Sequence, residues 1–103
     1  MTNVTPKHVA ELVVYTLKPD RLHNFLAMLE LVKKTLSQMK GFISYSTYQS
    51  DKERGKFMDL VLWDTIENAI DAAKKFQNDS TLKPFMDSFE KITLFEHFLP
   101  YKL

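Results

Sequence analysis

The chain has 103 residues and carries 14 basic and 13 acidic side chains, for a formal net charge of +1 at pH 7. A chain of this length buries roughly two-thirds of its unfolded surface as one folding unit, so residues 1–103 are expected to form a single domain. The balanced charge forms no basic stripe, which argues against nucleic acid or an anionic membrane as a partner.

Cysteine is absent, which excludes disulfides, thiolate nucleophiles and cysteine-based metal sites. No two histidines have the i, i+4 spacing of a helical metal site, and the two glycines form no phosphate loop. We therefore expect neither a metal ion nor a cofactor. The first residues lack the apolar core of a signal peptide and no apolar run approaches membrane length, so a cytoplasmic location is expected.

The first half of the chain has the pattern of a strand, a helix and a second strand. Residues 8–17 are largely apolar and rich in β-branched side chains, which is typical of a strand. Apolar side chains then recur at steps of three and four, so a helix is predicted from Pro19-Asp20 to Gly41, where glycine favours a left-handed helix end. The hydroxyl-rich segment Phe42–Gln49 predicts a strand at a sheet edge.

The segment from Lys56 to Trp63 is apolar at almost every position. Its apolar side chains fall on two faces, with Met58, Leu60 and Leu62 on one and Phe57, Val61 and Trp63 on the other. A lone carboxylate, Asp59, belongs to the second set. This pattern predicts a central strand that needs cover on both faces.

A helix is predicted after Trp63, a short helical piece after Ser80, and a last strand from Lys91 to Tyr101. The resulting order, β-α-β-β-α-β, is the ferredoxin-like arrangement of an α+β fold. Right-handed crossovers place both helices on one face of a four-stranded antiparallel-type sheet of order 4-1-3-2. The first and third strands are expected to be a parallel central pair.

Two helices cover only one face of such a sheet. The uncovered face is expected to carry one parity of the two central strands, namely Val9, Val13, Tyr15, Phe57, Val61 and Trp63. An exposed apolar area of this size is unusual on a monomer. We therefore expect a homodimer in which the sheet faces of two copies shield each other and each chain buries ~800 Å².

The chain resembles the antibiotic biosynthesis monooxygenase family of dimeric α/β-barrel proteins over nearly its whole length. The resemblance rests on Leu17-Lys18-Pro19, Phe25, Gly41-Phe42-Ile43-Ser44-Tyr45, Leu62-Trp63-Asp64-Thr65, an Ala69-rich helix and Pro84-Phe85-Met86. It implies a dimeric barrel and a cofactor-independent monooxygenase whose small planar aromatic substrate, phenol- or quinone-like, is deprotonated and reduces dioxygen. Haem-degrading relatives use a histidine on the second helix, which has none here, so no haem is expected.

In the quinone-forming oxygenases of this superfamily, an Asn and a Trp four residues apart on the third strand line a cavity below the helices. Trp63 matches the Trp, whereas Asp59 stands at the Asn position and replaces a hydrogen-bond donor with an acceptor. The nearby Tyr and His of those enzymes have no clear equivalents. The resemblance therefore implies catalytic roles for Asp59 and Trp63 without the rest of the family site.

Physical chemistry leaves two interpretations of each of these residues. A carboxylate in an apolar strand has its pKa raised by desolvation and is suited to act as a general base, or it forms a buried ion pair. For Asp59 the candidate ion-pair partners are Arg54, Lys56 or a lysine of a partner chain. Trp63 is either a stacking wall for substrate or a packed core residue.

Three further residues are candidate substrate-binding groups. Glu11 and Tyr15 are expected to share the face of Asp59. Glu96 and His97 are neighbours and point to opposite faces, so one of them is expected to face the cavity, and His97 is included on that basis. The alternative function is a non-catalytic dimer, a ligand-binding or stress-related protein in which Asp59 is paired and Trp63 packed.

Overall fold

A four-stranded sheet with helices on one face forms the molecule, as the computed structural model describes it for residues 8–101. The strands are β1 (Val9–Leu17), β2 (Phe42–Gln49), β3 (Lys56–Trp63) and β4 (Phe89–Phe98). The α-helices are α1 (Phe25–Ser37), α2 (Ile66–Gln77) and α3 (Lys83–Asp87), and 3-10 turns at Pro19–Asn24 and Ser80–Leu82 precede α1 and α3. Among residues 8–101, no helix has both the length and the apolar character needed to cross a membrane.

The sheet has the strand order β2-β3-β1-β4, which confirms the predicted ferredoxin-like α+β topology and the edge position of β2. The predicted parallel pairing of the central strands was wrong, since β1 and β3 are antiparallel. The chain direction explains the difference. The crossover through α1 returns β2 parallel to β1, and the β2–β3 hairpin then reverses the chain into the gap between them, so every neighbouring pair is antiparallel.

The helices cover the sheet face that the sequence pattern assigned to the open side. Buried side chains on this face include Val9, Glu11, Tyr15 and Leu17 of β1 and Phe57, Asp59, Val61 and Trp63 of β3. They pack against Phe25, Met28, Val32 and Leu36 of α1. The predicted uncovered face was therefore wrong. Both faces of β3 are apolar, so alternation alone does not indicate which one the helices cover.

The opposite face of the sheet carries no helix and is also apolar. The side chains of its central strands are half-buried by one another, and they are Ala10, Leu12, Val14, Met58, Leu60 and Leu62. We call this set the helix-free face. A sheet face of this composition needs cover from another surface.

The connections next to β3 differ in detail from the predicted ones. The first six residues of the predicted helix form the Pro19–Asn24 turn, and α1 begins at Phe25. Gly41 has a φ of 86°, as a glycine in a left-handed position does, but it lies in the turn between α1 and β2. Its carbonyl accepts a 2.9 Å hydrogen bond from the backbone N–H of Asp64. A side chain at Gly41 would collide with Asp64 and Asn68, so glycine lets β2 approach the end of β3 beside Trp63.

Candidate active site

A cavity of about 410 Å³ lies between the helix-covered face of the sheet and the helices. Its volume falls within the range of small-molecule sites in proteins. Its wall is mainly apolar and includes Val32, Leu36, Val61, Trp63, Phe76, Phe85, Met86 and Phe89. Glu11, Tyr45 and Asp59 place polar side chains on the sheet side of this wall. An apolar chamber with a few converging polar groups is the usual form of a site for an organic ligand.

Trp63 is the last residue of β3 and forms part of the cavity wall. Its side chain is fully buried, and its ring meets Phe42 edge to face at a centroid distance of 5.9 Å. Its indole N–H has no hydrogen-bond partner of normal geometry among residues 8–101, although it lies close enough to Glu11 to favour the carboxylate form of that side chain. The ring is therefore both packed and part of the cavity wall, so the two interpretations of Trp63 are compatible.

Asp59 accepts hydrogen bonds from three hydroxyl groups on two neighbouring strands. The Tyr15 and Thr47 hydroxyls donate to its Oδ1 at 2.8 and 2.9 Å, and the Tyr45 hydroxyl donates to its Oδ2 at 3.0 Å. The predicted ion pair does not form with Arg54 or Lys56, and the Lys56 ammonium instead lies 3.8 Å from the Glu53 carboxylate. Hydroxyl donors thus stabilise the buried charge of Asp59. This arrangement differs from both interpretations of the sequence, the general base and the ion pair.

Opposing effects set the proton affinity of Asp59 and of the tyrosines around it. Burial raises the pKa of Asp59, and the three hydroxyl hydrogen bonds offset part of that rise. Burial, together with the negative charge of Asp59, also raises the pKa of Tyr15 and of Tyr45. Both phenols therefore stay protonated at neutral pH and remain donors to Asp59.

Tyr15 lies behind Asp59 and is inaccessible to the cavity. Its side chain is fully buried in a group of aromatic rings at centroid distances of 4.5 to 6.2 Å, formed by Phe25, Phe57, Phe85 and Phe89. A hydroxyl in such surroundings has Asp59 as its partner and no water to replace it. Tyr15 thus fixes the position of Asp59 and has no direct route to a ligand.

Glu11 and His97 form a second polar pair beside the cavity. They are cross-strand partners in the register of β1 on β4, and His97 Nε2 lies 2.9 Å from Glu11 Oε1. His97, and not Glu96, is thus the residue on the helix-covered face. Burial raises the pKa of Glu11, while His97, through its hydrogen bond and its charge, lowers it in part. Within residues 8–101, no three His, Asp or Glu side chains gather as a metal-binding group.

The five predicted site residues all lie on one face, but only some reach the cavity. Glu11, Asp59 and Trp63 line it, whereas Tyr15 and His97 stand behind the two carboxylates. Sequence reasoning missed two contributors from β2, Tyr45 and Thr47. Their signal was the hydroxyl-rich pattern of β2, since Thr47 is the direct cross-strand partner of Asp59.

Comparisons with known proteins agree with this fold. The sequence profile of the family described as Antibiotic biosynthesis monooxygenase matches residues 8–79. No curated protein matches the chain. Among solved structures, a conserved protein from Methanosarcina mazei is similar with a TM-score of 0.75 and 14% identity, over 94% of this chain and 96% of that one.

Two further solved structures are similar to the chain. A candidate antibiotic biosynthesis monooxygenase from Bordetella bronchiseptica has a TM-score of 0.74 and 15% identity, over 94% of this chain and 98% of that one. SnoaB, a cofactor-independent oxygenase from Streptomyces nogalater, has a TM-score of 0.64 and 10% identity, over 94% of each chain. At these identities, the likeness concerns the fold and not the residues of the site.

Proposed function

The chain belongs to the antibiotic biosynthesis monooxygenase family, and from that premise we propose that it oxidises a small planar aromatic substrate with dioxygen and no bound cofactor. The observation that best supports the proposal is the 410 Å³ apolar cavity with two buried carboxylates, Glu11 and Asp59, on its sheet side. A flat ring system fits the aromatic wall, and a carboxylate whose pKa is raised by burial can act as the base that accepts a phenolic proton.

The proposed reaction needs only the substrate and dioxygen. A base removes the proton of a phenolic O–H, and the phenolate gives one electron to dioxygen. The two radicals join in a new C–O bond at the ring carbon para to the oxygen. Loss of the hydrogen from that carbon and cleavage of the O–O bond then give the quinone, with one oxygen atom in the product and the other, with two protons, in water.

Within this proposal, each cavity residue has a physical role. Trp63 provides the flat surface on which the ring stacks. Tyr45 lines the cavity, and because its hydroxyl donates a hydrogen bond to Asp59, its oxygen lone pairs remain free to accept a hydrogen bond from the substrate. Asp59 thus orients Tyr45, and the cluster holds the substrate hydroxyl in a fixed position.

We extend the proposal to a homodimer that forms through the helix-free face. Leu12, Leu60 and Leu62 lie in the middle of this face and are only half-buried within one chain. Pairing two such faces buries ~800 Å² per chain if the interface is of standard size. This uses the face opposite to the one that the sequence pattern indicated.

Oxygen uptake with a panel of dihydroxynaphthalenes tests the proposed activity. We expect wild type to consume one dioxygen per quinone formed, and we expect Asp59→Asn and Trp63→Phe to lower kcat/KM at least about tenfold, since each removes a positioning contact. Asp51→Asn is the matched control for Asp59→Asn, because Asp51 is exposed in the connection between β2 and β3 and does not line the cavity.

A wild-type protein that oxidises no compound of the panel would contradict the proposal. If the same protein still binds the compounds, the alternative of a non-catalytic ligand-binding dimer takes its place. If the panel neither reacts nor binds, both functions fail.

A further inference from the structure

We propose that Glu11 is the group in the cavity that accepts the substrate proton, and that His97 is its positioning partner, so that the site selects aromatic ligands with a hydroxyl group. This inference rests on the proposed function for the identity of the substrate. It concerns a different pair of residues from the Asp59 cluster, and it makes a prediction about binding that holds whether or not oxidation follows.

The two carboxylates of the cavity differ in the hydrogen bonds that they accept. Both oxygens of Asp59 already accept hydroxyl hydrogens, and the Tyr15 hydroxyl has no other acceptor to which it can turn. Protonating Oδ2 would weaken the hydrogen bond that it accepts from Tyr45, and Oδ1 already accepts two hydrogen bonds. Asp59 is suited to hold its neighbours in place and poorly suited to take a new proton.

Glu11 has an oxygen to spare. Its Oε1 contacts His97 Nε2 at 2.9 Å, while its Oε2 has no hydrogen bond of normal geometry to any residue in 8–101, although the Trp63 indole N–H lies close to the carboxylate. The side chain is 10% exposed and lines the cavity. A ligand hydroxyl that enters the cavity can thus donate to Oε2 without breaking the hydrogen bond between Glu11 and His97.

His97 gives the pair an outlet to solvent. Its side chain is 18% exposed, compared with 10% for Glu11, so the imidazole is the more accessible member. The O–H bond of the ligand breaks, the proton passes to Glu11 Oε2, the negative charge stays on the ligand oxygen, and the imidazole provides the route by which the proton reaches water.

The titration of Glu11 depends on few other charges. The groups around it are His97 on β4, Asp59 and Tyr45 across the sheet, and Glu90 and Lys91, which also line the cavity. The lining residues from α1, α2 and α3 are all uncharged. Burial and the charge of Asp59 raise the pKa of Glu11, and His97 lowers it. Removing His97 must therefore move the ionisation of Glu11 to higher pH.

Tryptophan fluorescence can follow this ionisation, because Trp63 is the only tryptophan of the chain and lies beside Glu11. In wild type, we expect the emission to change with a midpoint above pH 4.5, the ordinary glutamate value. The midpoint should move to higher pH in His97→Gln and be absent in Glu11→Gln. Glu30→Gln and His23→Gln are controls at exposed helix and turn positions.

Ligand selectivity provides the second readout. We expect 1-naphthol to bind wild type at least about tenfold more tightly than 1-methoxynaphthalene, because only the naphthol donates a hydrogen bond to a carboxylate. Glu11→Met, which has no oxygen acceptor, should abolish that preference and retain binding of the methyl ether, which also shows that the variant is folded. If oxidation occurs, kcat/KM should fall at least about 100-fold in Glu11→Gln, and its acid limb should follow the fluorescence midpoint in His97→Gln.

Two results would overturn the inference. One is a fluorescence midpoint that His97→Gln leaves unchanged, and the other is a naphthol preference that survives Glu11→Met. If wild type shows the predicted selectivity and midpoints but consumes no dioxygen, the proposed oxidation fails while the role of the Glu11–His97 pair stands.

Discussion

Asp59→Ala is expected to lower the free energy of unfolding by roughly 2–4 kcal/mol, as measured by urea denaturation. The substitution removes the acceptor of three hydroxyl groups, one of which, that of Tyr15, is fully buried. A buried donor without a partner costs about 1–3 kcal/mol, and the cavity left by the carboxylate adds to this loss. The energy of desolvating the charge is recovered, which limits the total.

A double-mutant cycle separates the network from simple loss of volume. Tyr15→Phe removes the buried donor itself, so it should be destabilising in wild type and much less so, or even stabilising, in the Asp59→Ala background. Tyr101→Phe removes a hydroxyl from a side chain that is 87% exposed and should cost nothing measurable in either background. Equal effects of Tyr15→Phe in both backgrounds would mean that the hydrogen bond between Tyr15 and Asp59 contributes nothing to stability.

Leu60→Glu is expected to weaken self-association at least about 100-fold. Leu60 lies opposite Leu12 in the middle of the helix-free face, so the substitution places two carboxylates in the proposed interface. Sedimentation at several concentrations should show a dimer for wild type and a monomer for the variant. The chain should remain folded, because the helix-covered core is unchanged.

Leu26→Glu is the matched control for this experiment. Leu26 is 72% exposed on α1, on the opposite side of the molecule from the helix-free face. The same change in charge and volume there should leave the dimer intact. A wild-type protein that sediments as a folded 12.1 kDa species would contradict the dimer, and a variant Leu60→Glu that stays dimeric would move the interface elsewhere.

The topology could be predicted from the sequence because it depends on element order. The apolar strand Lys56–Trp63 and the helical periodicity before Gly41 identify a central strand and a crossover helix. Handedness rules then leave few arrangements of four strands. The direction of β3 relative to β1 follows from the same rules, because the β2–β3 hairpin reverses the chain. The prediction of a parallel pair left out this reversal.

The sequence pattern did not indicate which face of the central strand the helices cover. Both faces of β3 are apolar, and Asp59 lies on the face that was predicted to be uncovered. The buried Asp59 carboxylate is stabilised by hydrogen bonds from hydroxyls of β1 and β2. The positions of these hydroxyls depend on the register of two other strands. Alternation within one strand carries no information about such partners.

The pairing of Glu11 with His97 was also out of reach. The two residues are 86 positions apart, and their contact depends on the register of β4 on β1. That register shifts between Val14 and Tyr15 and again between Thr16 and Leu17. A strand with such irregularities cannot be aligned with its neighbour by counting residues, so the facing of His97 needed the structure.

The central claim is that the cavity under the helices is the ligand site. Its most direct test is a crystal structure of the protein with 1-naphthol. We predict that the ring lies against Trp63 inside the cavity, with its oxygen within hydrogen-bond distance of Glu11 Oε2. Naphthol bound only on the outer surface or on the helix-free face, with the cavity filled by side chains, would contradict this claim.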